Sequence, residues 1–384
     1  MPASRKTIIP ILLITLVILV SLACGSSSTV SPTSPAAVQV NPESTSGNQP
    51  QLTTPPEPTN TPKPTSVPPT PTPLPIGLNR SNPYAITELV SAPNWDVQVL
   101  ETVRGDAAWQ AIQSANQFND PAPEGMEYLL AKIHAKCTYA DSEEHSISGY
   151  DLNVTGDRLI QYSPASVVDP DPSLDAQLYK DGETEGWVSF AVGQGERNLM
   201  LIIDELANFN DDRIRFIALD EGASISVDPD LSEIAFTDLG KDRTSPAPFG
   251  ETIITEDWKA NFLEVVRGDE AWTMIQAVNQ FNELPADGME YVAFKVHAQY
   301  IGTEDKAEQM DSLYFSTTGS ANAIYDNPFV VAPEPALDAY LYPGGETEGW
   351  VVLQVAKGET NIMAIFEPIF SFSNADKRFM SLEP

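Results

Sequence analysis

The chain has 384 residues, enough for two or three domains. Its 33 prolines are concentrated before residue 80, so composition alone separates a tail from a folding part. Lys and Arg number 21 against 54 Asp and Glu, a formal net charge of -33; such a surface repels polyanions, which excludes nucleic acid as a partner because its phosphates need basic side chains.

Residues 1–24 read MPASRKTIIPILLITLVILVSLAC, with Arg5 and Lys6 as a basic end before an apolar run over 7–20, the layout of an export signal. Cys24 follows Leu22 and Ala23 and precedes Gly25, which resembles the lipobox of bacterial lipoproteins, with Ser21 where that motif usually has Leu. Cleavage before Cys24 makes it the acylated first residue of the mature chain; without cleavage the run stays as a short membrane anchor, basic end inside. Both readings hold the rest of the chain outside, against a membrane, and acyl anchorage gains about 0.8 kcal/mol per buried methylene. If Cys24 carries lipid, Cys137 has no disulfide partner, and an exported domain of this size does not need one. Residues 25–77 are rich in Pro, Thr and Ser and lack apolar periodicity. They are expected to be a disordered stalk with extended polyproline character, reaching at most ~150 Å at about 3.1 Å per residue.

Beyond the stalk the sequence is stated twice. Trp95 recurs 163 residues later as Trp258, Arg104-Gly105-Asp106 as Arg267-Gly268-Asp269, Trp109 as Trp272, and His134 as His297. At the same spacing, with no gap, GETEGW at 182–187 returns at 345–350, so Trp187 matches Trp350, and Arg215 matches Arg378. The expected organisation is a first domain over 78–220, a connection over 221–240 and a second domain over 241–384. A period this long is that of a domain, since solenoid units of 20–50 residues cannot stand alone.

Within one copy most segments alternate like strands. Trp95, Val97 and Val99 fall on one side; Leu129, Ala131, Ile133, Ala135 and Cys137 form one face, with Lys132, His134 and Lys136 on the other. Further strands are predicted over 148–154, 158–162, 174–179, 186–192, 198–203 and 213–219. Antiparallel sheets with one wet face, packed in pairs, follow. The exception is the phrase after Gly105, where Asp106 is placed to cap a helix whose Trp109, Ile112 and Ala115 fall at threes, as do Trp272, Ile275 and Val278 after Asp269. So short a helix needs support, and it is expected to cover an open edge or end of the sheets. Gly182, Gly344 and Gly345 supply turn conformations before Trp187 and Trp350, which read as large core or rim contacts, with ligand stacking as the other reading.

The leader, the stalk, the GMEY strand opening and the GETEGW hairpin together resemble the telokin-like, immunoglobulin-like domain of bacterial surface lipoproteins, a family of unknown function, here in two tandem copies. The resemblance implies an all-β chain of two tandem immunoglobulin-like β-sandwiches, each with a short inserted α-helix, outside the cell. It brings no catalytic set to carry over.

Catalysis needs a convergent nucleophile, base and orienter. His134 and His297 lie on an outward sheet face, and His145 is matched by Glu308, so none reads as a base. Asp169, Asp171 and Asp175 offer oxygens that suit calcium, but their counterparts are Ala332, Glu334 and Asp338, and an acidic solvated loop explains them as well. Glu183 and Glu185 read as turn residues rather than a glycosidase pair, and the Arg-Gly-Asp tripeptide as structure rather than adhesion. No cofactor is expected. The function expected is a membrane-anchored binding or scaffold protein whose partner is an envelope glycan or protein; the alternatives are a cell-wall or polysaccharide hydrolase and a purely structural or self-associating envelope protein.

Overall fold

The computed structural model describes residues 75–204, 214–368 and 376–384. The export signal, Cys24 and nearly all of the stalk lie outside the described residues. Among those residues no helix is long and apolar enough to cross a membrane.

Period-two alternation builds two all-β domains in tandem, each with one short helix. In the first, β1 (Val90–Ser91), β2 (Trp95–Arg104), β3 (Met126–Cys137) and β8 (Glu183–Gly193) pair antiparallel in that order. Facing them run β10 (Arg215–Ala218), β9 (Met200–Ile203), β5 (Leu152–Thr155) and β6 (Ile160–Tyr162), with β4 (His145–Ser148) and β7 (Asp175–Leu178) as a separate pair. The second domain repeats this. One sheet is β11 (Ile253–Ile254), β12 (Trp258–Arg267), β13 (Met289–Tyr300) and β18 (Glu346–Ala356); the other is β16 (Ile324–Tyr325), β15 (Phe315–Thr318), β19 (Met363–Phe366) and β20 (Arg378–Ser381). Its remaining strands, β14 (Glu308–Asp311) and β17 (Asp338–Leu341), pair with each other.

The predicted inward face is the core: Val97, Val99, Leu129, Ala131, Ile133, Ala135 and Cys137 pack against Leu152, Val154, Leu201 and Ile217. The second core has the same plan in different material. Phe262, Phe294, Phe315 and Phe366 pack ring against ring where the first copy has Val99, Ala131, Leu152 and Ile203. Trp95 and Trp258 are buried in the two cores.

Four expectations are corrected. The single strand over 148–154 is two strands: Ser148 and Asp151 form a capping box around the 3-10 turn Gly149–Asp151, and there the chain leaves β4 for β5 in the facing sheet. Alternation continues across the turn, which hides it. Asp106 does not cap the helix α1 (Asp106–Ala115); Gly105 does, at φ 63° and ψ -136°, and no side chain bonds the helix start. Gly268 does the same for α2 (Asp269–Val278), at φ 65°. Nor does α1 cover an edge. It lies on the outward face of β3, an inner strand, through Ala108 and Ile112, both fully buried against Tyr128 and Leu130, while Ala115 is exposed. Asp181, at φ 66°, rather than Gly182 takes the left-handed turn position of the first copy, as Gly344 does in the second.

The domains share a sheet. β6 of the first pairs with β17 of the second, Gln161 opposite Tyr340 and Ile160 opposite Leu341, giving a six-stranded sheet ordered β10-β9-β5-β6-β17-β14. Beside this joint Tyr342, 2% exposed, donates its amide to the Leu159 carbonyl at 2.8 Å and packs with Ile202 and Phe216. The fully buried Arg80 stacks 3.8 Å from the Tyr342 ring centroid and holds Asp305 through Nε at 2.7 Å and its backbone amide at 2.9 Å. Burial of three apolar side chains, at about 1.5–3 kcal/mol each, outweighs a short ladder whose bonds net about 1 kcal/mol each.

Candidate functional site

Where β2 turns into α1, Gly105 takes a conformation open to glycine alone and swings the helix across the sheet, leaving a hollow at its start. The hollow, about 430 Å³, is lined by Asp106, Trp109, Pro121, Ala122, Glu127, Tyr128 and Gln194. Trp109 stacks on Tyr128 at 5.8 Å and 19°, and the Tyr128 hydroxyl donates to the Asp120 carbonyl at 2.9 Å. Glu127 is fixed by Arg104 at 2.8 Å and by the Gly195 amide at 2.8 Å.

The second domain has the same hollow, about 390 Å³, with Asp269, Trp272 and Glu290 in matching places. Trp272 meets Tyr291 at 6.2 Å and 33°, and Arg267 holds Glu290 at 2.6 Å. The Asp, Trp and Glu of the floor recur, Tyr128 lines only the first hollow, and the mouths differ: Pro121, Ala122 and Gln194 become Leu284, Pro285 and Lys357. An aromatic wall beside oriented carboxylate acceptors suits a ligand with an apolar face and an edge of hydroxyls.

The other predicted residues lie elsewhere. Trp187 is half-buried and Trp350 is 9% exposed; both support the helix side of their sheets. Arg378 is fully buried and donates to the carbonyls of Thr237 and Lys377, whereas Arg215, half-buried, donates to Ile214. The Arg-Gly-Asp tripeptide is a strand-to-helix junction with its arginine engaged by Glu127. Glu183 and Glu185 pair across the β3–β8 ladder, with His134 at 3.4 Å and Lys132 at 3.2 Å, and His145 pairs with Asp141 at 2.7 Å.

Of the calcium candidates, Asp169 accepts from the Ser189 hydroxyl at 2.5 Å, and burial raises its carboxyl above the usual range. Asp171 and Asp175 are exposed, the latter opening β7. Among the described residues no group of three or more His, Cys, Asp or Glu is placed to hold a metal ion. The second copy replaces Asp169 and Ser189 together, by Ala332 and Val352, which pack in one apolar cluster. Exchange of both partners for apolar groups is what a packing contact tolerates.

Two buried carboxylates escaped the sequence reading. Glu196, 2% exposed, accepts from the Tyr162 hydroxyl at 2.8 Å and the amides of Arg158 and Gly193, both at 3.1 Å. Its counterpart Glu359, 5% exposed, accepts from Tyr325, Ser320 and the Ala321 amide. The signal was available: Tyr162 with Glu196 and Tyr325 with Glu359 keep the repeat spacing, each acid just after a glycine in a polar turn between two apolar strands.

No family model matches the chain, and no curated protein does. Solved structures with a similar fold include the yjhA protein from Bacillus subtilis, at 12% identity and TM-score 0.26 over 36% of this chain and 99% of that one. A candidate lipoprotein, ycdA, from Bacillus subtilis subsp. subtilis str. 168 matches at 12% identity and TM-score 0.28, over 35% of this chain and 39% of its own. A β-sandwich protein from Clostridium difficile 630 matches at 9% identity and TM-score 0.24, over 39% of this chain and all of that one, 100%.

Proposed function

We propose that the chain is an exported, membrane-anchored recognition or scaffold protein of the bacterial envelope that binds and performs no reaction. Its domains are read as immunoglobulin-like sandwiches of the telokin-like kind, held to lipid through Cys24. The observation that carries binding is the twin hollow, whose Trp and two carboxylates recur in both copies while the residues at the mouth diverge. That pattern fits two related sites on one tether, where a second contact gains from the local concentration set by the first. The ligand class favoured is an envelope glycan: a sugar ring stacks on Trp109 or Trp272, and its hydroxyls donate to Asp106 and Glu127, or to Asp269 and Glu290.

The test is titration of the intact chain with envelope glycan fragments. Saturable binding at two sites is expected, with Trp109→Ala and Trp272→Ala each removing one. Binding unchanged in the double variant overturns the assignment, and glycan cleavage lost with Asp106→Asn would install the hydrolase reading instead. Anchorage is tested separately: Cys24→Ser abolishes acyl labelling if Cys24 is the lipidated residue.

A further inference from the structure

The joint between the domains is heterologous: the β6 edge of the first copy meets the β17 edge of the second. Because the domains are duplicates, each face used inside the chain has an unused twin. The counterpart of β6 is β16, which ends its sheet, and the counterpart of β17 is β7, which pairs only with β4 among the described residues. A head-to-tail contact that leaves both of its faces free at the outer ends can be repeated between molecules, giving a ring or an open chain.

We propose that the protein self-associates head to tail, β16 of one molecule pairing with β7 of the next in the register of the internal joint. The backbone shape is in place: Leu159, before β6, has φ 62° and its counterpart Asn322 has φ 59°. The side chains are in place too. Tyr342, 2% exposed in the joint, has its twin in Tyr179, 59% exposed, and Ile324 on the free β16 edge is 68% exposed. Charge follows the plan on one side of the joint only. Arg80 crosses the joint to Asp305; its counterpart Arg243 stands at the free edge, bonded to Asn322 at 2.7 Å and to the Gly319 carbonyl at 2.6 Å, whereas Asp305 is matched by Ser142, flanked by Asp141, which holds His145, and by Glu143. Inside the chain the connection between the domains makes this contact unimolecular; between chains it needs a high local concentration, which anchorage on one membrane supplies. Short edge strands keep the free protein from pairing indiscriminately.

Internal partners Gln161 and Tyr340 map onto Ile324 and Gln177. The full chain carrying Gln177→Cys and Ile324→Cys is oxidised in membranes and separated without reductant, beside Gln161→Cys with Tyr340→Cys, whose residues face each other and close within the chain. The expected result is a reducible ladder of dimers, trimers and higher species from the first pair. Each single cysteine yields nothing beyond dimer, and adding Tyr179→Ala weakens the ladder several-fold. Monomer alone while the internal pair closes, or an equal ladder from Ile324→Cys with Gln113→Cys on the outer face of α1, overturns the proposal.

Discussion

The two buried glutamates occupy one position in the repeat and respond to pH in opposite ways. Burial raises the Glu196 carboxyl above its ordinary range, so its protonated form is favoured on folding. What it contributes is fully present below the unfolded carboxyl value and is lost as pH rises through the raised folded value. Hydrogen bonds from Ser320 and Tyr325 bring Glu359 down to about 2 from 4.5, so its contribution is present above 4.5 and lost as pH falls from there toward 2. Glu196→Gln is therefore expected to cost less at pH 7 than at pH 3, and Glu359→Gln to cost more at pH 7 than at pH 3, where Glu359 is already surrendering its share; paired denaturant titrations of each variant against parent at both pH values check this. A parallel argument covers Asp169 and Ser189. Asp169→Ala alone strands a buried hydroxyl and is expected to cost about 1–3 kcal/mol, whereas Asp169→Ala with Ser189→Val, the second copy's solution, recovers most of it in a double-mutant cycle. Residues that act in pairs reveal themselves when both partners change together, and the repeat recorded that change.

At the level of elements, the strands and the helix were legible because each states one period clearly, as in Leu129 to Cys137 on β3. The helix start was not. Asp106 has the right chemistry for a cap, but the backbone needs φ 63° one residue earlier, and only Gly105 takes it without strain. Gly105→Ala places a Cβ 3.1 Å from Glu127 Oε2 as well, so a loss of roughly 1–3 kcal/mol is expected in thermal unfolding, against little change for Asp106→Ala. The position of α1 was hidden for another reason. Tyr128 and Leu130 fall on the face that Lys132 and His134 make polar, and periodicity cannot tell a wet half-face from one roofed by a helix ten residues long. The candidate hollow was half visible: Trp109 stood out, while Glu127 and Gln194 come from other strands and turns. Core identity was readable, core chemistry less so. Phe294→Ala, which removes a ring packed against Phe262 and Phe315, is expected to cost about 3–5 kcal/mol, although the same core position is already Ala131 in the first domain.

For the whole molecule, duplication was plain in the letters and the union of the copies was not, because nothing in Gln161 or Tyr340 announces that their strands meet. A shared sheet and the buried Arg80 make one cooperative body of two homologous domains. Asp305→Ala, which leaves the Arg80 guanidinium buried without its counter-charge, is expected to cost about 3 kcal/mol and to split one calorimetric transition into two. Arg80 lies a few residues past the start of the described chain and is inserted against the far domain rather than its own. On the proposed anchorage, a pull from the N-terminal side would reach the seam between the domains early, soon after the Gly77 carbonyl releases the Phe216 amide of β10. Under that anchorage, mechanical wear would be borne first at contacts that can reseal.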